Sequence, residues 1–458
     1  MEIIGPIFWL LVALGLLVTF HEFGHFWVAR RCGVRVLCFS VGFGRALWSR
    51  TARDGTRYQI AAIPLGGYVQ MQDERAQPVP SEHQSESFNR KPVSQRIAIV
   101  AAGPIFNLVF AVAAFWLMFV IGIGAMRPIV GEPTGLAADA GINPQDQIVR
   151  VNDQSVDTWT HAMLALTPIA LDRGTATLEV ESVGQSRRLV ELDLSGLGAD
   201  FKEDETLEAL GLNPWRPDLP AEIGEVNAGS PAEQAGLQAN DKIIAINGVA
   251  IDGWQAITEV VPQQGLDAAG QPQALVVLVE RDGQQMTFEL VPAVSADGDR
   301  AILGIQSPRP SESMQSDIRR AFVIDQRGPI EALGQATSET WRLSTATLGM
   351  LGRMVMGKAS LDNLSGPITI ARLADQSARL GISRFLFFLG LISLSLAIIN
   401  LLPIPMLDGG HLLYYLVEIV KGSPVSEHTQ AVGQYVGLML IVMLMGIAIF
   451  NDILRLIA

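Results

Sequence analysis

Two histidines four residues apart, with a glutamate beside the first, give the chain an H-E-x-x-H pattern at His21-Glu22-Phe23-Gly24-His25. On a helix, positions i and i+4 share one face a turn apart, so both imidazoles can reach one cation while Glu22 polarises a water held there. That is hydrolytic zinc chemistry. Five residues of this kind also arise by chance on soluble helices, so the pattern needs context.

Depth supplies the context. The segment from Ile3 to Thr19 is almost wholly apolar, and in lipid such a segment has one hydrogen-bonded solution, a spanning helix. At about 1.5 Å per residue, His21 lies roughly 30 Å from Met1, near the far end of the hydrocarbon layer. Ionisable side chains at that depth are functional candidates by default.

A catalytic zinc takes three protein ligands and keeps one position open for water, whereas a structural zinc is closed by four. The third ligand candidate is Asp408, in Asn400-Leu401-Leu402-Pro403-Ile404-Pro405-Met406-Leu407-Asp408-Gly409-Gly410 at the end of another apolar stretch. Alone, an aspartate there reads as a helix cap. Paired with two histidines it makes three ligands plus a glutamate placed for chemistry. This favours an enzyme over a non-enzymatic membrane scaffold or sensor, and the depth of His21 argues against a zinc protease for soluble substrates. His411 reads as lining, and His83, His161 and His428 as bystanders.

The elements that must position these residues follow from hydropathy and charge. With 458 residues and 49% hydrophobic content, the chain calls for membrane segments alternating with water-soluble domains. A net charge of -13 argues against a nucleic-acid partner. Four stretches qualify as spans: Ile3 to Val28, Ile97 to Ile123, Phe385 to Leu402 and Val432 to Phe450. Residues 30 to 96 carry 11 Arg and Lys against 5 Asp and Glu, and residues 127 to 383 carry 19 against 35. Arg30, Arg31, Arg35, Arg90, Lys91 and Arg96 flank span ends, so the positive-inside rule puts residues 30 to 96 in the cytoplasm. Both termini and the long acidic region then lie outside. Basic residues follow the first apolar run instead of preceding it, which predicts a retained anchor, not a cleaved signal peptide. Cys32 and Cys38 both fall on the cytoplasmic side and imply no disulfide framework.

After Arg31, short alternating runs around Val34 to Phe39 and Tyr58 to Ile63 predict strands, punctuated by Gly42, Gly44, Gly66 and Gly67, with Trp48 and Tyr68 suited to a membrane interface. The edge near residues 58 to 71, with Tyr58, Ile60, Ala62, Gly66 and Gly67, is a candidate for pairing with an extended substrate. The second span opens with Gly103-Pro104-Ile105-Phe106-Asn107, a small-residue and polar pattern that predicts close packing against the metal helix.

A shift of 95 residues aligns Ala140-Gly141 with Ala235-Gly236, Asp146 with Asp241, Ile148 with Ile243, Asn152 with Asn247, Asp157 with Asp252 and Trp159 with Trp254. This predicts two duplicated domains. They resemble PDZ domains, with Ser230 to Leu237 a close match. Such domains bind peptides as an added strand beside a loop of amides, here Ile223-Gly224-Glu225-Val226 and, less clearly, Val130-Gly131-Glu132. Neither copy has the Gly-Leu-Gly-Phe loop, so a pair of spacers that bind nothing stays open. The region 309 to 383 is too polar to span and suits helices on the membrane surface, with a break at Leu364-Ser365-Gly366-Pro367-Ile368.

Together, His21-Glu22-Phe23-Gly24-His25, Gly103 to Asn107 and Leu407-Asp408-Gly409 resemble the site-2 protease family of intramembrane zinc metalloproteases, over essentially the whole chain. The expected fold class is a polytopic α-helical membrane protein. It has four transmembrane helices, a membrane-associated β-hairpin or sheet after the first helix, and two tandem PDZ (α+β) domains between the second and third. The boundaries are 1–30, 31–96, 97–126, 127–220, 221–308, 309–383, 384–411 and 430–458. The resemblance implies one Zn2+ per chain on His21, His25 and Asp408, with Glu22 activating water and Asn400 holding substrate. It also implies a bacterial inner membrane location, with the active site toward the cytoplasm. The implied substrate is a single-span membrane protein of the anti-sigma factor type already cut outside, and also remnant signal peptides, with the PDZ pair acting as a size filter.

Overall fold

The computed structural model describes residues 4–76, 78–182, 187–198, 201–217, 219–267, 270–295, 300–360 and 365–457. Ile3 and Leu364, named above at a span start and a break, lie outside the described residues. The chain forms two compact units, one from residues 1–124 and 324–458 and the other from residues 125–323.

In the first unit, α1 (Ile4–Arg31) is almost wholly apolar up to His21, and Arg30 and Arg31 in its last turn sit at the negative end of the helix dipole. Gly33, at φ 68°, ends it in the left-handed conformation. Two long curled strands follow, β1 (Val36–Thr51) and β2 (Arg57–Met71), and then α2 (Val93–Ile121). After the second unit come α3 (Pro329–Val355), α4 (Pro367–Arg379), α5 (Ile382–Leu401), α6 (Asp408–Lys421) and α7 (Glu427–Ile457). Among the described residues, α1, α2, α5 and α7 are long and apolar enough to cross a membrane. The first three correspond to the stretches beginning at Ile3, Ile97 and Phe385, and α7 to that beginning at Val432. α2 packs against α1, α3, α5 and α6, while α4 lies against α1, α5 and α7.

Two elements differ from the sequence reading. The segment given as 384–411 is not one helix: α5 stops at Leu401, next to the expected span end at Leu402, and Asp408 opens α6. Pro403 and Pro405, which lack the N–H a helix interior needs, lie in the break. The second difference is in the sheet. Residues 57–60 of β2 pair with 38–41 on one side and with 48–51 on the other, so the spatial order is 46–51, 57–61, 36–41, 67–71. Tyr58 and Ile60 therefore do not form an open edge, which corrects their assignment to substrate pairing. Ala62 is exposed and has no register partner in the sheet. The stretch 67–71, paired on one side with 36–41, is the edge that lies toward the metal helix.

The second unit repeats one plan. Strands 147–151, 154–155, 175–181 and 188–193 form a four-stranded sheet, and strands 242–246, 249–250, 275–281 and 284–290 form another in the same order. Each copy has its own apolar core, one around Ile148, Leu166 and Leu178 and one around Ile243, Val261 and Val277. The aligned asparagines share a role: Asn152 (φ 49°) and Asn247 (φ 47°) hold tight turns, each accepting a 2.8 Å hydrogen bond from a strand amide, Thr177 or Val276.

Candidate active site

The metal helix and α2 touch where neither has bulk. A Cβ on Gly24 would lie 2.4 Å from the Ala102 carbonyl oxygen, and one on Gly103 would lie 2.3 Å from His25 Nε2 and 2.7 Å from His21 Cε1. Only glycine at these two positions lets the backbones approach so closely. Pro104 continues α2 immediately after, buried like Gly103.

This contact sets both imidazoles. His25 Nδ1 lies 2.8 Å from the Ile99 carbonyl oxygen, so Nδ1 carries the proton and Nε2 presents its lone pair. His21 Nδ1 lies 3.2 Å from the Asn107 side-chain amide, and the Asn107 main-chain carbonyl accepts a 2.7 Å bond from Ser393 on α5. The two Nε2 atoms are 3.2 Å apart. Asp408 Oδ2 completes the triangle, 3.3 Å from His21 Nε2 and 3.5 Å from His25 Nε2.

The triangle has the size a zinc ion requires. Ligand atoms at 2.0–2.2 Å from a tetrahedral zinc are separated by roughly 3.3 Å. Asp408 Oδ2 is buried with no hydrogen-bond partner among the described residues, an expensive condition that a cation at the centre of the triangle would remove. Among the described residues, this is the one group of three histidine, cysteine or acid side chains close enough to share a metal.

Glu22 points toward β2. A Cβ on Gly67 would stand 3.3 Å from Glu22 Cγ and 2.6 Å from the Ser40 carbonyl oxygen, and the Val69 main-chain N–H faces the Glu22 carboxylate. Glu22, His25 and Asp408 line one side of a cavity of about 330 Å³, which Val69, Met71, Asp73, Arg75, Arg96 and Tyr415 also line. His411, one turn after Asp408, faces the same cavity, and burial pushes its imidazole below its ordinary pKa against the pull of Asp408.

Other sequence candidates lie elsewhere. Asn400 is half-buried in the last turn of α5 and does not line the cavity. Gly66, at φ 140°, abuts the Phe43 ring. In the second unit, Glu225 and Val226 pair with Gln306 and Ile305, and the Gly224 N–H donates to Gln306, so one edge of that loop is already occupied. Ile223 is buried, while Gly224, Glu225 and Val226 border a separate groove with Glu233 and Gly236. Sequence reasoning missed Val69, Ile99 and Arg96. The contacts that matter at the first two are main-chain, so side-chain identity carries no signal for them.

Three ligand atoms at zinc separations beside a glutamate, two of them on an apolar helix long enough to span, make the arrangement of a membrane metallopeptidase. The family model of Peptidase family M50 matches residues 9–444, and the chain belongs to that family. It is 43% identical over 453 residues to the regulator of sigma-E protease RseP of Escherichia coli K12, covering 97% of this chain and 98% of that protein. It is 44% identical over 462 residues to the protease RseP of Yersinia pestis, covering all of both. A Xylella fastidiosa protein carrying the name zinc metalloprotease is 44% identical over 455 residues, 99% of each chain. The protein is a zinc metalloprotease with several membrane-crossing helices.

Proposed function

We propose that this protein hydrolyses peptide bonds within or near the transmembrane segment of single-span membrane proteins. The observation that supports it is the position of the triangle: three ligand atoms at zinc separations, on or beside apolar helices, next to a strand edge. His21, His25 and Asp408 are the zinc ligands in this reading. Bound zinc supplies Lewis acidity to the scissile carbonyl and to the attacking water. Glu22 takes the proton of that water and passes it to the leaving amine. The Ile99 carbonyl holds His25 in the tautomer that leaves Nε2 free, and the Asn107 side-chain amide lies beside His21 Nδ1, where its oxygen would do the same for His21.

A spanning helix hides each carbonyl in its own hydrogen-bond ladder, so cleavage requires local unwinding. The freed groups of the substrate find partners on the 67–71 edge, which passes Glu22 at Gly67 and Val69. Asn400 holds the substrate further along, as the family resemblance implies. Val69→Pro removes an edge N–H and should lower cleavage of membrane peptides with zinc content unchanged. Equal turnover of Val69→Pro and wild type would count against strand pairing.

The repeated domains of the second unit are read as a PDZ pair in the periplasm, where they exclude substrates that still bear large outer domains. Both termini share that side, the active site faces the cytoplasm, and the membrane is the bacterial inner membrane. Relatives named as regulators of sigma-E point to an anti-sigma factor already cut outside as substrate, with remnant signal peptides as a second class. Deleting residues 128–308 should permit cleavage of untrimmed substrates, and preserved discrimination would refute the filter.

The central test uses purified full-length protein in detergent, assayed for zinc and for cleavage of single-span peptides. Glu22→Gln should keep its zinc and lose on the order of 10²–10⁴-fold in turnover. A zinc-loaded, active Glu22→Gln protein removes Glu22 as the base.

A further inference from the structure

Two of the three zinc-site residues sit on one helix, α1, but the third comes from α6, nearly four hundred residues later, and something must set how α6 is rolled about its axis. Its first turn is pressed against the end of α5: a Cβ on Gly409 would stand 2.1 Å from the Leu402 carbonyl oxygen, and one on Gly410 2.5 Å from that of Ile404. This fixes where α6 starts. Its far end is largely apolar and exposed at Leu413, Leu416, Val417, Ile419 and Val420, a surface that does not resist rotation. Side-chain tips stand about 5–6 Å from a helix axis, so a roll of about 20° displaces a carboxylate oxygen by about 2 Å. Metal ligands tolerate about 0.2 Å.

A charged contact with α2 opposes that roll. Glu418 lies ten residues after Asp408, about 80° around the helix and three turns along it. Its carboxylate is held by both arms of Arg96 on α2, Nη2 to Oε1 at 2.7 Å and Nη1 to Oε2 at 3.2 Å, with both side chains largely buried. The Arg96 Nε–H donates to the Lys91 carbonyl at 3.1 Å, and the guanidinium lies 4.9 Å from the centre of the Tyr415 ring on α6. Arg96 stands two turns before Gly103 on the helix that also fixes both imidazoles. We propose that Arg96 and Glu418 are positioning residues that lock α6 to α2 and thereby hold the Asp408 carboxylate at the two histidines. This rests on the reading of Asp408 as a zinc ligand.

The test compares purified full-length wild type, Glu418→Gln, Arg96→Lys, the reversed pair Arg96→Glu with Glu418→Arg, and Asp408→Ala. Each is followed for zinc loss to a chelator, for kcat and KM on a single-span peptide, and for elution as a folded monodisperse species. Glu418→Gln and Arg96→Lys should lose zinc about 10-fold faster or more, with kcat reduced and KM unchanged. The reversed pair should recover most of the retention. Wild-type retention in both single variants overturns the proposal, as does a reversed pair no better than either single change. Should Asp408→Ala itself retain zinc, the ligand assignment has failed, and the proposal falls with it for that separate reason. Arg96→Lys keeps the charge, so the test survives even if Glu418→Gln does not fold.

Discussion

Two fully buried aspartates of the second unit and the largely buried Asp408 of the first are satisfied in opposite ways. Asp241 accepts from the Gln238 N–H at 2.8 Å and takes both arms of Arg281 at 2.6 Å. Its counterpart Asp146 does the same with the Asn143 N–H at 2.8 Å, Arg188 and the Ser182 hydroxyl. Both are fully buried and their charge is compensated within the protein. Asp408 is different: one oxygen is buried without a hydrogen bond and looks onto two imidazole nitrogens instead of an arginine. A fold that meant only to bury an acid has already shown, twice, how it does so. The incomplete one is the acid proposed to hold zinc.

The sharpest way to break this comparison is to truncate one acid of each kind. Asp408→Ala should abolish cleavage and zinc binding while leaving the metal-free protein as stable as wild type, because it removes an uncompensated group. Asp241→Ala should leave zinc content unchanged and destabilise its own domain, toward the lower end of about 3–5 kcal/mol since Arg281 retains some exposure. Zinc analysis and thermal unfolding of both variants check this. Reversal of the pattern, with Asp408→Ala destabilising the metal-free protein and Asp241→Ala costing zinc, would sink the distinction.

What the sequence made legible follows the same division. Periodic and local signals were readable: the i, i+4 histidines on α1, the four long apolar runs, and a repeat whose aligned Asp146/Asp241 and Asn152/Asn247 occupy matching positions in two identical sheets. The Gly103 to Asn107 pattern pointed to close contact with the metal helix, and the contact is there. Long-range and main-chain features were not readable. Nothing in Tyr58 or Ile60 shows that a curled strand will flank them on both sides, since pairing depends on how β1 and β2 bend. Arg96 and Glu418 are 322 positions apart, and each looks locally like an ordinary charge at the end of an apolar run. The start of α6 was signalled by Pro403, Pro405 and Asp408, but the apolar residues on either side gave no sign that two separate helices meet there.

The smallest expected effect concerns how His21 is held. As placed, the Asn107 Nδ2 faces His21 Nδ1 at 3.2 Å while the buried Oδ1 lacks a hydrogen-bond partner among the described residues. If the amide donated to Nδ1, the imidazole proton would sit on Nε2 and point into the triangle, where it would block a metal bond. Turning the amide over lets Oδ1 accept from Nδ1–H, satisfies the orphaned oxygen and frees Nε2 for zinc. The two orientations differ in what they ask of residue 107, an acceptor or a donor. Asn107→Ala should weaken zinc binding by about 10–100-fold. Asn107→Asp, which keeps only acceptors, should stay near wild type, as measured by zinc competition with a chromophoric chelator. A weaker grip in Asn107→Asp than in Asn107→Ala would mean that the amide donates, and His21 would then bind through a different nitrogen or not at all.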